Sequence, residues 1–302
     1  MVVELFNLGG RHVVVVLGKG GVGKTTVSIL IASELARVGE TLLVSFDPAK
    51  HFTKYLGVKE PGREYRIGEN LYVIQLDIEK AARKIIEEHI VVVKAILPTL
   101  SALNLEDVVD VIYHSPGFEE EVFLRWLEQL YTVKYRYVVV DTPPTGIALR
   151  TLTLPRLYRL WLEKLVDIRE KIVARRYVIA KALGREIKLE DPVLNKLREL
   201  LERFKRLRED LASSEKTSYV IVTNPEPLPM YEAEMVAQYL KKEFLREPTL
   251  IVMNKSPEDG GVDEVFEHFR KLPGAKLLIK RVSPPPSSFE EVLRLKENIE
   301  GI

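Results

Sequence analysis

The chain has 302 residues, 46% of them hydrophobic, and its 45 basic and 44 acidic residues leave a formal charge of +1. That is enough apolar material for one large α/β domain with an inserted subdomain, or for two modest domains, and too little net charge to attract nucleic acid or an anionic membrane over distance. There is no cysteine, which excludes disulfides, thiolate zinc sites, thiol catalysis and soft-metal thiolate sites. No targeting segment and no uncharged run of ~18 residues is legible, so a cytoplasmic location is expected.

In chain order, short apolar runs at 12–17, 41–46, 71–76, 137–140, 219–223, 249–253 and 276–280 alternate with helix-forming stretches. Runs that are apolar throughout, rather than alternating, are those of strands buried on both faces. They predict a doubly wound, mostly parallel α/β sheet of the P-loop NTPase type. Two intervals, roughly 78–135 and 148–216, exceed a single crossover helix. The predicted division is an ATPase core of 1–77, 132–152 and 216–302, with 78–131 and 153–215 forming an inserted all-helical subdomain.

GKGGVGKTT, residues 18 to 26, follows the first strand and opens a helix. It satisfies G-x-x-x-x-G-K-[ST] through Gly18, Gly23, Lys24 and Thr25. Gly20, Gly21, Val22 and Gly23 let backbone N–H groups turn inward around a phosphate, and the helix N-terminus adds partial positive charge. Lys24 is expected at the β- and γ-phosphates of ATP, Thr25 on Mg²⁺ and Thr26 at the α-phosphate. Lys19 is a second lysine that the pattern does not require. Early in the loop, it can point away from its own nucleotide toward one held by a second subunit.

Asp47 and Asp141 each close a predicted strand, at the edge where sheets of this type bind ligands. Asp141 is expected to hold Mg²⁺, through water, and Asp47 to orient or deprotonate the attacking water. Asn254-Lys255 ends the sixth of the apolar runs, but Pro257 stands where N-K-x-D would place its aspartate, so guanine selection is not expected.

The form G-K-G-G-V-G-K-T-T resembles the deviant P-loop ATPases. Together with D-P-A at 47–49, P-G-F-E-E-E at 116–121, V-V-V-D-T-P-P-T-G at 138–146 and N-P-E-P-L-P-M-Y-E-A-E at 224–234, it resembles the arsenite-pump and tail-anchored-protein-targeting ATPase family over nearly the whole chain. The resemblance implies a nucleotide-sandwich homodimer with Lys19 acting in trans, switch loops at 47–54 and 141–147, and adenine held by Asn254 with Pro284, Pro285 and Pro286 as a wall. It departs from the family at Lys50, His51 and Ile147, which bears on the rate and coupling of hydrolysis.

The resemblance implies as cargo tail-anchored membrane proteins, with room for a membrane receptor and none for nucleic acid. Candidate groove walls are Ile85, Ile86, Ile90–Val93, Ile96, Leu97 and Leu100, with core packing as the alternative, and Ile172, Val173, Tyr177, Val178, Ile179 and Leu183. An arsenite-pump role is disfavoured without cysteine. A partitioning or membrane-surface ATPase would leave the long helical inserts unexplained.

Overall fold

The computed structural model describes residues 3–6, 10–46, 51–96, 115, 117–184, 190–257 and 264–301, without the side chains of 3, 51, 53, 54 and 88–96. Nine strands form one sheet: β1 His12–Leu17, β2 Thr41–Ser45, β3 Glu64–Arg66, β4 Leu71–Gln75, β5 Tyr137–Asp141, β6 Thr217–Thr223, β7 Leu250–Ser256, β8 Ala275–Lys280 and β9 Ile299–Gly301. Their order is β3-β4-β2-β5-β1-β6-β7-β8-β9. The seven inner strands run parallel, and β3 and β9 close the two edges antiparallel.

All seven predicted strands are present. Every residue of β1, β2, β5 and β6 is buried, as their unbroken apolar runs require. β4 alternates between buried and half-buried positions because only the short β3 lies beyond it. The helices are α1 Lys24–Leu35, α2 His51–Leu56, α3 Ile78–Ile96, α4 Phe118–Leu130, α5 Thr145–Ala182, α6 Pro192–Ala212, α7 Pro227–Phe244, α8 Glu264–Lys271 and α9 Phe289–Arg294. α1 is apolar nearly all round, and Val27, Ile29, Leu30, Ile31 and Leu35 join the core formed with β1, β2, β5, β6 and β7.

The chain divides into two compact units, Met1–Thr151 with Ser214–Ile302, and Leu152–Ser213. The described helices of the first insert, α3 and α4, fall in the larger unit. Ala82, Ile85, Ile86, Val122, Phe123 and Leu127 are buried there, and the Phe123 ring lies 4.4 Å from that of Phe46 at the end of β2. The smaller unit corresponds to the second of the two inserts. Ile85 and Ile86 belong to the core rather than to a groove, and the groove residues proposed from Ile90 to Leu100 lie outside the described side chains.

The smaller unit is a helical hairpin. Asp191 caps α6 through the Leu194 N–H (2.8 Å), and Pro192 occupies the first turn, where no donor is lost. Both Asp191 oxygens also accept from Arg169 (3.0 and 2.8 Å), and this holds the Asp191 carboxyl below the usual aspartate range. The Tyr158 and Phe204 rings pack 4.8 Å apart, and Arg198 bonds Glu170. Among the described residues no helix is long and apolar enough to cross a membrane.

His12 shows how tightly the sheet is closed at the start of β1. Its ring is fully buried, with Nδ1 3.0 Å from the Glu215 carbonyl and Nε2 2.8 Å from Ser218 Oγ. A carbonyl can only accept, so Nδ1 carries the proton and Nε2 accepts from the hydroxyl. Burial pushes the imidazole below its ordinary value of 6.5; the Glu215 bond opposes this and the Arg246 charge adds to it. A depressed pKa means that the contribution of neutral His12 is complete above the unfolded value and is lost as pH falls toward the folded one. The melting temperature should fall as pH is lowered below about 6.5, and the fall should be shallower in His12→Gln, which cannot acquire the charge. Parallel slopes in a thermal-melt series would assign the acid sensitivity elsewhere.

Candidate functional site: a phosphate loop at the centre of the sheet

β1 lies between β5 and β6, so the loop leaving its carboxyl end opens where the sheet's connections diverge. Gly18 sits against β6. A Cβ there would stand 2.3 Å from the Val222 carbonyl oxygen, a space only hydrogen fits. Gly23 caps α1 with φ +95°, and a Cβ on it would meet Asn254 Nδ2 at 2.2 Å. Both glycines are required by their surroundings, whereas a Cβ on Gly20 would meet nothing within 4 Å.

The loop is tied to the sheet through its carbonyls. Asn254 Nδ2 donates to the Val22 carbonyl (2.8 Å), and Lys255 Nζ donates to that of Gly21 (3.0 Å). With its amide turned to donate, Asn224 at the end of β6 also reaches the Val22 carbonyl at 3.1 Å. In a planar trans peptide the N–H points opposite to the C=O. Holding the carbonyls of Gly21 and Val22 against the sheet therefore turns the N–H groups of Val22 and Gly23 the other way, as an anion cradle needs. Lys255 reaches the loop because β7 is irregular between Asn254 and Ser256, where Lys255 adopts φ +58° and its side chain is redirected.

Lys24 and Thr25, the first residues of α1, are buried, and Lys24 Nζ lies 3.4 Å from the Lys19 carbonyl. Thr25 Oγ1 donates to Asp141 Oδ2 (2.8 Å), and Ser45 Oγ on β2 donates to the same oxygen (3.0 Å). Ser28 Oγ lies 3.5 Å from Oδ1. Next along the chain, the Thr142 hydroxyl donates to the Val16 carbonyl (2.6 Å), pinning the end of β5 to β1. Asp141 has no exposed surface. A buried carboxylate beside a threonine hydroxyl, with oxygen donors only, suits Mg²⁺. Among the described residues no cluster of three or more His, Cys, Asp or Glu offers another metal site.

Beside the loop is a cavity of about 440 Å³. Gly21, Gly23, Lys24, Thr25 and Thr26 line one end. Tyr55, Val282, Pro285, Pro286 and Leu295 supply apolar surface, and Lys255, Lys280 and Arg281 bring further positive charge. Among the described residues, four cations counting Lys24 and no acidic residue line it, a field suited to a polyphosphate. Asn254 lines the cavity, but its amide is engaged with Val22 and its Oδ1 accepts the Lys255 N–H (3.0 Å). Pro285 and Pro286 are wall residues; Pro284 is not.

Gly18, Gly20, Val22 and Lys19 are likewise not cavity-lining. Lys19 Nζ lies 3.7 Å from Glu232 on α7, with its side chain about 30% exposed. Asp47 and Lys50 lie outside the described residues, as does the His51 side chain. Asn224, Lys255 and Ser45 were not anticipated from sequence. Asn224 sits in the N-P-E motif and Lys255 in the N-K pair, so position in a motif was the available signal.

A strand, glycine loop and helix of this form, with a buried aspartate at the end of the adjacent strand, define a P-loop ATPase. The profile of the anion-transporting ATPase family matches residues 11–277, and the chain belongs to that family. It is similar to "Putative arsenical pump-driving ATPase 2" of Aquifex aeolicus (strain VF5), with 32% identity over 246 residues, covering 80% of this chain and 79% of the other. It is also similar to the "ATPase ASNA1 homolog" of Cryptosporidium parvum (strain Iowa II), 32% identical over 249 residues, 80% of this chain and 64% of that one. The homolog of the same name in Plasmodium falciparum (isolate 3D7) is 32% identical over 232 residues, 74% of this chain and 58% of that one. The chain thus spans less than two thirds of these two ASNA1 homologs. The family implies use of ATP with Mg²⁺.

The glycine geometry gives a test with an internal control. Gly18→Ala should lower stability by about 2 kcal/mol or more and weaken nucleotide binding, while Gly20→Ala should melt close to wild type. Similar melting of the two variants in calorimetry would contradict the close approach to Val222.

Proposed function

We propose that the chain is an ATP-driven carrier for tail-anchored membrane proteins, working as a homodimer whose two copies close on nucleotide. The observation that carries this reading is an apolar stripe on α5. Leu157, Trp161, Leu165, Ile168, Ile172 and Ile179 recur at steps of three, four and seven residues and are all exposed, Trp161 by 71%. The face that meets α6 and its cap through Tyr158 and Arg169 adjoins the stripe, about 60–80° round the helix from its mean line, with Glu170 further round. An amphipathic helix normally has one apolar face and buries it; this one buries a face and leaves a second apolar stripe in water.

From Leu157 to Ile179 the stripe is ~33 Å long at ~1.5 Å per residue, comparable to the ~30 Å of a bilayer's hydrocarbon. That length suits a membrane-spanning helix better than a short peptide, and the same stripe on a second copy would cover another side. The arsenical-pump name carried by the Aquifex relative suggests metalloid transport. Soft metalloids favour thiolates, and the chain has no cysteine.

In this reading the N–H groups of Val22 and Gly23 and the Lys24 ammonium bind the phosphates, while Thr25 and Asp141 hold Mg²⁺, which neutralises phosphate charge when bound. Asp47 orients the attacking water. Thr26, Asn254 and the Pro285–Pro286 wall bound the nucleoside end. Lys19 leaves Glu232 and supplies its charge to the partner's nucleotide, where negative charge spreads as the γ-phosphoryl group departs. Helix α5 begins four residues after Asp141 and carries the stripe, so one continuous element links the metal site to the cargo surface.

Co-expression with a tagged protein ending in a hydrophobic helix tests the cargo. A soluble, helix-dependent complex with two copies of the chain is expected, and Trp161→Ser with Ile168→Ser should reduce its yield about tenfold or more without altering the fold, since each residue removed contributes about 1.5–3 kcal/mol when buried. Capture unaffected by these changes would remove the stripe from the reading. For Lys19→Ala, nucleotide binding should be retained and turnover fall by about 10³-fold, the scale of a finger residue acting in trans; normal turnover would leave Lys19 as Glu232's surface partner.

A further inference from the structure

The end of α5 differs from the stripe leading to it. Around Ile168 the helix mixes charges of both signs, with Glu163, Lys164, Asp167 and Glu170 lying among the apolar positions. From 171 to 184 there is no acidic residue at all, while Lys171, Arg175, Arg176 and Lys181 are exposed. Lys171 is paired with Asp167 (2.7 Å), and Arg176 also lends its field to Asp191.

The apolar residues change in the same place. Tyr177 and Val178 are exposed, as are Ile179 and Leu183, by 60% and 61%. At about 100° per residue Tyr177 lies about 160° from Ile179, and Val178 about 100° from it, so both leave the line of the stripe. The last turns therefore present apolar side chains around most of the helix, with Ala180 the buried exception. Arg175 and Arg176 form a collar one turn behind, and Lys181 stands among them.

We propose that this end of α5, Arg175 to Leu183, is a docking tip for an anionic lipid surface. The apolar side chains enter the headgroup boundary, and the cations meet lipid phosphates and carboxylates at its edge. Aromatic and aliphatic residues beside Lys and Arg, without acids, are what such an interface selects, and each cation near an anionic surface adds to the attraction. The balanced net charge of the chain is no obstacle, because the field falls off within about a Debye length of ~8 Å and only the local patch counts. The tip shares only Ile179 with the stripe, and its other residues stand whether or not the stripe behind it takes a cargo helix.

Flotation of the full-length chain with cargo-free vesicles tests this. Binding is expected to vesicles of phosphatidylcholine with phosphatidylserine, and to weaken with phosphatidylcholine alone or at high salt. Arg175→Gln with Arg176→Gln, and separately Tyr177→Ser with Val178→Ser, should each reduce partitioning by about tenfold or more. ATP turnover and the melting temperature should be unchanged in both variants, which reports that they fold. No binding by the wild type, as expected of a tip that fits an acidic protein instead, would overturn the proposal, and so would binding that ignores lipid charge or survives both pairs of changes. Loss of cargo capture in the Trp161 and Ile168 variant, with vesicle binding intact, keeps the two readings separate.

Discussion

Asp141 ends a strand with no exposure to water, and the hydroxyls of Thr25, Ser45 and Ser28 converge on its carboxylate. Removing a carboxylate from water costs several kcal/mol unless hydrogen bonds or charge replace the lost hydration. The replacements come from different elements: Thr25 and Ser28 from successive turns of α1, and Ser45 from the position opposite Asp141 on β2. Slipping β2 by one residue would send Ser45 to the other face of the sheet. Sheet register, the seating of α1 and the chemistry of the site are thus one constraint.

The same economy of parts holds the phosphate loop. Its carbonyls are fixed by Asn254, Lys255 and Asn224 from the ends of two neighbouring strands, and its glycines are fixed by the backbone and side chain that crowd them. Preorganisation of this kind means that the N–H groups need little rearrangement when an anion arrives. It also gives Asn254 a role that needs no base contact, because losing its amide would leave the Val22 carbonyl held by Asn224 alone, whatever nucleotide is bound.

Much of this was legible because parallel strands write themselves as unbroken apolar runs, and all seven inner strands were found within a few residues of their ends. β3 and β9 were not, since Glu64–Arg66 and Ile299–Gly301 are three residues long and carry no apolar run. β7 continues past its apolar run through Asn254 and Lys255 to Ser256 because β8 still pairs with it there. At the site, local spacing identified Gly18, Gly23, Lys24 and Thr25, and strand-end position identified Asp141. The link between Lys255 and Gly21 joins residues 234 apart in sequence, and only the assembled sheet brings them together. The apolar start of α3 looked like surplus hydrophobicity, yet Ile85 and Ile86 are covered by the unit to which they belong. An exposed apolar stripe lies on α5, where Ile172 and Ile179 were candidates but Leu157, Trp161, Leu165 and Ile168, diluted among charges, gave a weaker signal.

The stripe's place on a helix limits what can adhere to it. Inside a helix every backbone donor and acceptor is already paired along the axis, so α5 offers an extended peptide no ladder to join, whereas an open sheet edge would. Here both sheet edges are short and carry charge at Glu64, Arg66 and Glu300. A segment lying on α5 must therefore arrive with its own hydrogen bonds satisfied, which in an apolar setting means as a helix. Under the proposed function, the surface would select folded hydrophobic segments over unfolded ones by withholding main-chain partners, with no sequence recognition required.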